Sequence, residues 1–382
     1  MDKRIKILFV SHDPRLYGAQ KSLLDLILGL NKDLFKPIVL ESREGPLTEI
    51  LRKNDIETLS FPFEFWVGAN LKKTFFRAVK LIQVSKNIEV QVRPLQPDLI
   101  YTNTAVIPIG GISAKKLKIP HIWHIREFVQ QDLGVNYDFG TILSMKFMSL
   151  SSERIICNSQ AIKQKLSQYI PGKKLTLVYN GFLDSSNTPS PPNKDFSRTR
   201  PFSLCMVGSV TPHKGHGDAL LAVNFLKEKG INTRLRIVGD GPAAEMAKLK
   251  ELSRKLNISA NVHFEGFRED INSVFFSSDA TLVCSRQEAF GRVAVESMAA
   301  GTPVIGTNTG GLPEVVEDRI TGFLYPPGDI PSLAEKIQTL LNNPSLYNSF
   351  SAAGYLSVYK KFTKQRYVTE LEKIIRETVH NN

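Results

Sequence analysis

Two glutamates separated by seven residues, Glu288 and Glu296, lie in the segment Ser285-Arg-Gln-Glu-Ala-Phe-Gly-Arg-Val-Ala-Val-Glu-Ser-Met-Ala-Ala-Gly301. An apolar, strand-like run ends just before it at Cys284. Gly301, a residue that tolerates the left-handed conformation, closes the helix that the segment opens. Glu288 therefore falls ahead of the helix and Glu296 about one turn further along. Between them, the backbone amides of Phe290, Gly291 and Arg292 lie in or near the first turn, where N–H groups without helical partners and the helix dipole favour an anion. Such a set suits a ligand with hydroxyls on both sides of a diphosphate. Helix-face carboxylates are also common as plain surface charges, so the pair is weighed with its surroundings.

Four further segments carry residues of similar chemistry. In Met206-Val-Gly-Ser-Val-Thr-Pro-His-Lys-Gly215, the flexible cationic stem of Lys214 beside a glycine suits neutralisation of a departing diphosphate. Ile237-Val-Gly-Asp-Gly-Pro242 is a glycine turn containing Gly241, an ordinary feature in isolation. His12-Asp-Pro-Arg-Leu-Tyr-Gly-Ala-Gln20 runs into a helix whose Gly18 and Ala19 amides can meet a phosphate, or merely turn the chain. His121-Ile-Trp-His-Ile-Arg-Glu127 reads as a strand on which residues 124 and 126 share one face, so His124 and Arg126 can both enter a site. A histidine satisfied inside the core is the alternative for His124.

These residues need elements to hold them, and the pattern supplies two series. Short runs rich in Val, Ile, Leu and Phe, at 5–10, 37–41, 98–103, 121–125, 154–158 and 175–179, alternate with amphipathic stretches such as 19–30 and 46–54. That alternation is the signature of a parallel sheet covered on both faces. Residues 182–200, centred on Asp-Ser-Ser-Asn-Thr-Pro-Ser-Pro-Pro-Asn, are poor in apolar side chains and rich in helix breakers, which reads as a linker. A second series follows, with strands expected at 203–207, 234–238, 262–264, 280–284 and 303–306. The expectation is thus an α/β protein of two doubly wound domains, 1–181 and 201–355. Residues 356–382 form a helical segment expected to pack back on the first domain. Ligands of such sheets bind beyond the carboxyl ends of the strands, here in a cleft between the halves.

Composition narrows the function classes. The formal net charge is +12, of which residues 1–180 carry about +10. No zinc-finger spacing, RNP-like strand or basic zipper accompanies it, so nucleic acid is not expected as a partner. Acidic substrates and anionic membranes remain. Residues 66–93 hold Lys72, Lys73, Arg77, Lys80 and Lys86 among Phe75, Phe76, Val79, Leu81 and Ile82, a pattern suited either to an anionic membrane surface or to a core-facing helix with a solvated basic face. No run approaches the roughly 20 apolar residues that span a bilayer. The three scattered cysteines, Cys157, Cys205 and Cys284, read as buried hydrophobes in a reducing compartment, the cytoplasm by default, with the inner membrane surface as the place of any contact.

The segment from Glu288 to Glu296 closely resembles the glutamate-x7-glutamate motif of family 4 glycosyltransferases, including the Phe-Gly after the first glutamate and the closing Met-Ala-Ala-Gly-Thr-Pro-Val-Ile. Matching segments cover nearly the whole C-terminal half, and the N-terminal half matches more loosely. The resemblance implies a GT-B fold and retaining, metal-independent transfer of a hexose from a UDP-, GDP- or ADP-sugar, with no cofactor. It implies that Glu288 holds sugar hydroxyls, Glu296 the ribose and Lys214 the pyrophosphate, and that Phe264-Glu-Gly-Phe267 contacts the base. Ser209 stands where many members carry a phosphate-binding arginine, for which Arg292 or Arg126 are candidate substitutes. Asn308-Thr-Gly-Gly-Leu-Pro-Glu314 matches a segment whose glycines let the backbone approach the sugar. The family histidine near the reacting sugar corresponds to His124 or Arg126. Sugar or lipid-linked acceptors are held by the first domain in this family. A GT-B epimerase and a non-catalytic nucleotide-sugar binding module are the rival functions. An NAD dehydrogenase is disfavoured because no Gly-x-Gly-x-x-Gly follows the first strand.

Overall fold

The computed structural model describes residues 3–68, 74–130, 134–184 and 200–381. The chain divides into two compact units, Met1–Asp184 with Phe362–Asn382, and Ser185–Lys361. Most of the linker expected at 182–200 lies outside the described residues, as do Lys72 and Lys73 and the side chains of Phe75, Phe76, Val79 and Ile82.

In the first unit the strands are β1 (Ile5–Ser11), β2 (Phe35–Glu41), β3 (Glu57–Ser60), β4 (Val67–Gly68), β5 (Leu99–Thr102), β6 (His121–Ile125), β7 (Asn136–Tyr137), β8 (Arg154–Cys157) and β9 (Leu175–Leu177). Seven form one sheet in the order β3-β2-β1-β5-β6-β8-β9, with every pairing parallel. The central strands are buried on both faces, as Ile7, Phe9, Val39, Leu99 and Ile122 are, which is why they read as unbroken apolar runs. Three strands escaped the pattern. β3 is an edge strand of Glu-Thr-Leu-Ser with no residue fully buried, and β4 pairs antiparallel with β7 over only two residues.

The second unit has β10 (Phe202–Val207), β11 (Thr233–Val238), β12 (Val262–Gly266), β13 (Ala280–Val283), β14 (Val304–Thr307) and β15 (Gly322–Tyr325), ordered β12-β11-β10-β13-β14-β15 and again all parallel. Its core, with Leu204, Met206, Leu235, Ile237, Leu282 and Ile305 on the strands, packs under the helices His216–Glu228 and Ile330–Asn342.

The boundary expected at residue 355 falls inside an unbroken helix, Pro344–Lys361. The chain leaves it at Phe362, whose carbonyl accepts a hydrogen bond from the Phe182 amide at 2.9 Å, while Lys364 N donates to Leu183 O at 2.8 Å. Thr363 then caps the last helix, Lys364–His380. Tyr367, Val368, Leu371, Ile374 and Ile375 of that helix are buried in the first unit's core against Leu23, Leu26 and Ile27. At roughly 1.5–3 kcal/mol per large apolar side chain, those five contribute on the order of 10 kcal/mol. That is enough to hold the segment there across the whole intervening sequence.

The basic stretch 66–93 resolves toward its structural alternative. Its helix, Thr74–Val92, buries Leu81, Ile88 and Val92. Arg77 is spent on the buried Asp138, Nε to Oδ2 at 2.6 Å, and Lys80 on Glu64 at 2.9 Å. The described part of this helix is therefore core-facing, with two of its cations already neutralised.

One buried acid makes the first unit's stability pH-dependent. Glu41 ends β2 with no exposed surface, and its Oε2 accepts a bond from Thr48 Oγ1 at 2.7 Å while Oε1 has no partner among the described residues. Burial pushes the carboxyl from its ordinary 4.5 up to about 7. The fold thus favours the protonated acid. That contribution is intact below the unfolded value and is lost as pH rises through about 7. Glu41→Gln should stabilise the protein by roughly 3 kcal/mol at pH 8 and not at pH 4, since each tenfold difference in proton affinity between the folded and unfolded chain corresponds to about 1.4 kcal/mol. Urea unfolding at the two pH values measures it.

Candidate active site

Because β10, β13 and β14 are adjacent and parallel, the loops after them emerge side by side at one edge of the second unit's sheet. The loop after β10 carries Ser209 and the 3-10 turn Pro212–Lys214. The loop after β13 carries Ser285 and Glu288 and enters the helix Arg292–Ala299. The loop after β14 carries Gly310 and Gly311. Backbone bonds stitch the three together, Arg286 N to His213 O at 2.8 Å and Gly311 N to Glu288 O at 2.7 Å, and Thr307 Oγ1 donates to Ser285 O at 2.7 Å.

Within this edge Lys214 Nζ meets Glu288 Oε2 at 2.8 Å, and Ser285 Oγ donates to the same oxygen at 2.9 Å. The carboxylate is 16% exposed and the lysine side chain 37%, so both are positioned yet reachable. Gly310 explains how the loop closes. Its φ is +58, and a Cβ there would stand 2.0 Å from the Glu288 carbonyl oxygen, so glycine alone fits against the backbone of the acidic residue.

Gly291 precedes the helix Arg292–Ala299 in a left-handed conformation and, being glycine, brings no capping side chain of its own. The amides of the first turn are thus presented beside Glu288 with the positive end of the dipole. Phe290 is 3% exposed, so any ligand contact from it belongs to its backbone. Arg292 Nε binds Glu296 Oε1 at 2.7 Å one turn on, and both are half-buried. Arg286 pairs with Asp218 at 2.9 Å. Cations and carboxylates therefore alternate around the edge. Ser209 is exposed and brings no charge, and Arg292, one candidate substitute for the arginine absent there, is held by Glu296.

Gly241 has a structural reason to be glycine. A Cβ on it would lie 2.1 Å from the Val210 carbonyl oxygen, and Val210 N bonds Asp240 O at 2.9 Å, so the turn after β11 packs backbone to backbone on the Ser209 loop. Phe267, just past β12, is 71% exposed, an open ring at the same carboxyl edge.

The first unit sets Gly18, exposed, and Ala19, half-buried, at the start of the helix Gly18–Gly29 after β1. Asn103, just past β5, donates from Nδ2 to Ala19 O at 3.0 Å and accepts from Arg126 Nε at 2.7 Å. The guanidinium also donates to Asn180 Oδ1 at 2.5 Å and to the Tyr367 hydroxyl at 2.7 Å. Arg126 is 7% exposed, and no ion pair involves it among the described residues. A buried cation held only by neutral groups keeps its positive potential for whatever approaches that edge.

His124 lies inside the core, the second of its two readings. Its ring is wholly buried, with Nδ1 at 2.5 Å from the Tyr101 hydroxyl and 3.3 Å from Arg126. Burial first, and Arg126 second, hold its pKa well below the ordinary value. The ring packs against Tyr101 and Arg126 inside the core, and its Nε2 has no hydrogen-bond partner among the described residues, while Arg126 of the same strand face lies nearer the edge. Asn103, Asn180 and Tyr367 carried no sequence signal, since their importance arises only from contact with Arg126.

Beside this edge, β6 and the residues after it, with the helices Gly140–Leu150 and Gln160–Leu166, border a partly open cavity of about 220 Å³ whose lining is mixed, with Gln130, Asn136, Thr141 and Lys165 among its polar side chains. Phe128, Val129, Met145, Met148, Ile162 and Leu166 line it. Glu127 also borders it and is anchored by Ala105 N at 2.7 Å; burial pushes its carboxyl pKa up.

Comparison with known proteins identifies this architecture. The family model for glycosyl transferases group 1 matches residues 190–357, and that for Glycosyltransferase Family 4 matches residues 17–183. An uncharacterized glycosyltransferase of Methanocaldococcus jannaschii is 29% identical over 323 residues, 81% of this chain and 83% of that one. N-acetyl-alpha-D-glucosaminyl L-malate synthase of Bacillus anthracis is 33% identical over 152 residues, 40% of this chain and 39% of that one. The crystal structure of HepE from Anabaena with UDP-glucose superposes with a TM-score of 0.80 at 21% identity, covering 98% of this chain and 100% of that one. The fold is GT-B, and the chain belongs to the family 4 glycosyltransferases.

Proposed function

We propose that the protein is a retaining hexosyltransferase that takes its sugar from a nucleotide diphosphate donor and passes it to an acceptor hydroxyl in the synthesis of a cell-surface polysaccharide or glycolipid. The observation that carries this reading is the Lys214–Glu288 pair beside the glycine-led start of the helix Arg292–Ala299. The helix start and Lys214 are suited to the diphosphate, and Glu288 to the sugar hydroxyls. Glu296 is suited to the ribose once Arg292 leaves it for a phosphate. Gly18 and Ala19 supply a second helix start of the same kind, and Arg126 a buried positive charge in the unit that the family uses for acceptors. The bond from the anomeric carbon to the diphosphate breaks, and the acceptor oxygen bonds on the same face, so configuration is kept. In the second unit the charge work falls to Lys214 and the backbone amides after Gly291, without a metal or resident cofactor.

The apolar part of the cavity beside β6, with Phe128, Met145 and Leu166, supports an acceptor with a hydrocarbon portion, a lipid-linked sugar at the cytoplasmic membrane surface. HepE of Anabaena was solved with UDP-glucose, which makes UDP-sugars the first donors to try here. Thermal shifts with UDP-, GDP- and ADP-sugars identify the donor by mass action, and NMR of the product's anomeric proton tests retention. Incubation with donor alone separates transfer from epimerisation. Glu296→Ala should raise the nucleotide Kd about tenfold, the worth of one charge-assisted hydrogen bond, with kcat changed less than about threefold. Unchanged affinity would remove Glu296 from the ribose.

A further inference from the structure

The helix Gly140–Leu150 is apolar on both sides. Its inner face buries Met145 and Met148. Its outer face leaves Ile142 71% exposed, Leu143 61% and Leu150 61%, with Phe139 at the N-cap 45% exposed. At about 100° per residue, positions 139, 142, 143, 146 and 150 fall within an arc of about 100°. Of fifteen large apolar side chains exposed among the described residues, four thus lie within twelve consecutive residues and face one way. Isolated exposed leucines need no explanation, whereas a one-sided cluster does.

The charge in this stretch of chain is mostly positive. Lys146 stands within the apolar arc, and residues 140–174 contain six Lys and Arg against the single Glu153. Lys174 Nζ donates to Ser149 O and Ser152 O at 2.6 and 2.7 Å, fixing the end of the helix. Arg154 reaches the Lys173 carbonyl at 3.2 Å, which keeps the exposed Lys173 close to it, and the half-exposed ring of Tyr169 precedes this group in the chain.

We infer that this helix lies on an anionic lipid bilayer, with Phe139, Ile142, Leu143 and Leu150 among the acyl chains and the surrounding lysines at the headgroups. An apolar stripe bordered by lysines matches that surface in both respects. No helix among the described residues is long and apolar enough to cross a membrane, so the contact is peripheral. The element differs from the helix Thr74–Val92, whose Arg77 and Lys80 are already paired. The inference deepens the membrane-surface part of the proposed function, and vesicle binding needs neither donor nor acceptor, so its failure leaves the transferase reading standing.

The test is co-sedimentation of the full chain with phosphatidylcholine vesicles containing or lacking phosphatidylglycerol. The wild type should bind the anionic vesicles. The triple variant Ile142→Ser/Leu143→Ser/Leu150→Ser should lose at least about tenfold in affinity with its melting temperature preserved, because these side chains are exposed. Lys146→Glu should weaken binding severalfold, and Lys80→Gln/Lys86→Gln should not. Equal binding by wild type and triple variant, or no binding by the wild type, overturns the inference. So does light scattering that reveals a dimer dissolved by the triple variant, since a second copy would then own the face.

Discussion

Glu288→Gln is expected to lower kcat at least about 100-fold while the protein folds and binds nucleotide nearly as before. The ion pair with Lys214 is partly exposed, and such pairs contribute at most about 1 kcal/mol to stability. The amide can still accept from Ser285 and Lys214, so the loop stitched to His213 and Gly311 keeps its shape. What is lost is the negative charge that the proposed reading sets against the sugar hydroxyls. Hydrogen bonds to a charged group are worth about 1.5–3 kcal/mol each, and two to sugar hydroxyls together correspond to a factor of roughly 10² or more. Steady-state kinetics beside a nucleotide titration separate the two quantities. A variant with wild-type kcat would remove Glu288 from the reaction.

Lys214→Met should cost a comparable factor for a different reason. Methionine preserves most of the stem and its packing but leaves the departing diphosphate without its ammonium. Groups aimed at charge that develops in a transition state are worth about 3–4 kcal/mol when deleted singly. Ser209 sharpens the expectation, because no cation at that position shares the load. Lys214 and Glu288 touch, so the double variant should fall well short of the product of the two single losses. Multiplicative losses would mean that the two residues act on separate steps.

Much of the scaffold was legible in the order of residues. Strands buried on both faces must be largely apolar, and this is why β1, β8, β10 and β13 stood out as runs. β3 stayed hidden because an edge strand half in water carries no such run, and β15 because its Gly-Phe-Leu-Tyr is too short to separate from a turn. The end of the second unit was misplaced by six residues, because Pro344–Lys361 is one helix without an internal break and the signal lies at Thr363, the cap of the next. In the site, Glu288, Lys214 and the helix start at Gly291 were readable from residue type and local spacing. His124 and Arg126 were not separable, since two residues on one strand face have the same periodicity whatever lies above them.

From the chain alone came the alternation that makes two parallel sheets, the acidic pair around a helix start, and an excess of positive charge in the first half. The first two are local properties, written in spacings of a few residues, and the third is a matter of counting. Only the folded units decided that Lys214 reaches Glu288 across 74 positions and that Tyr367 reaches Arg126 across 241. They also decided that Ile142, Leu143 and Leu150 face outward although they are as apolar as any core residue. Contacts between residues distant in sequence depend on which strands lie side by side and which helix faces are covered, and neighbours in the chain carry no record of either.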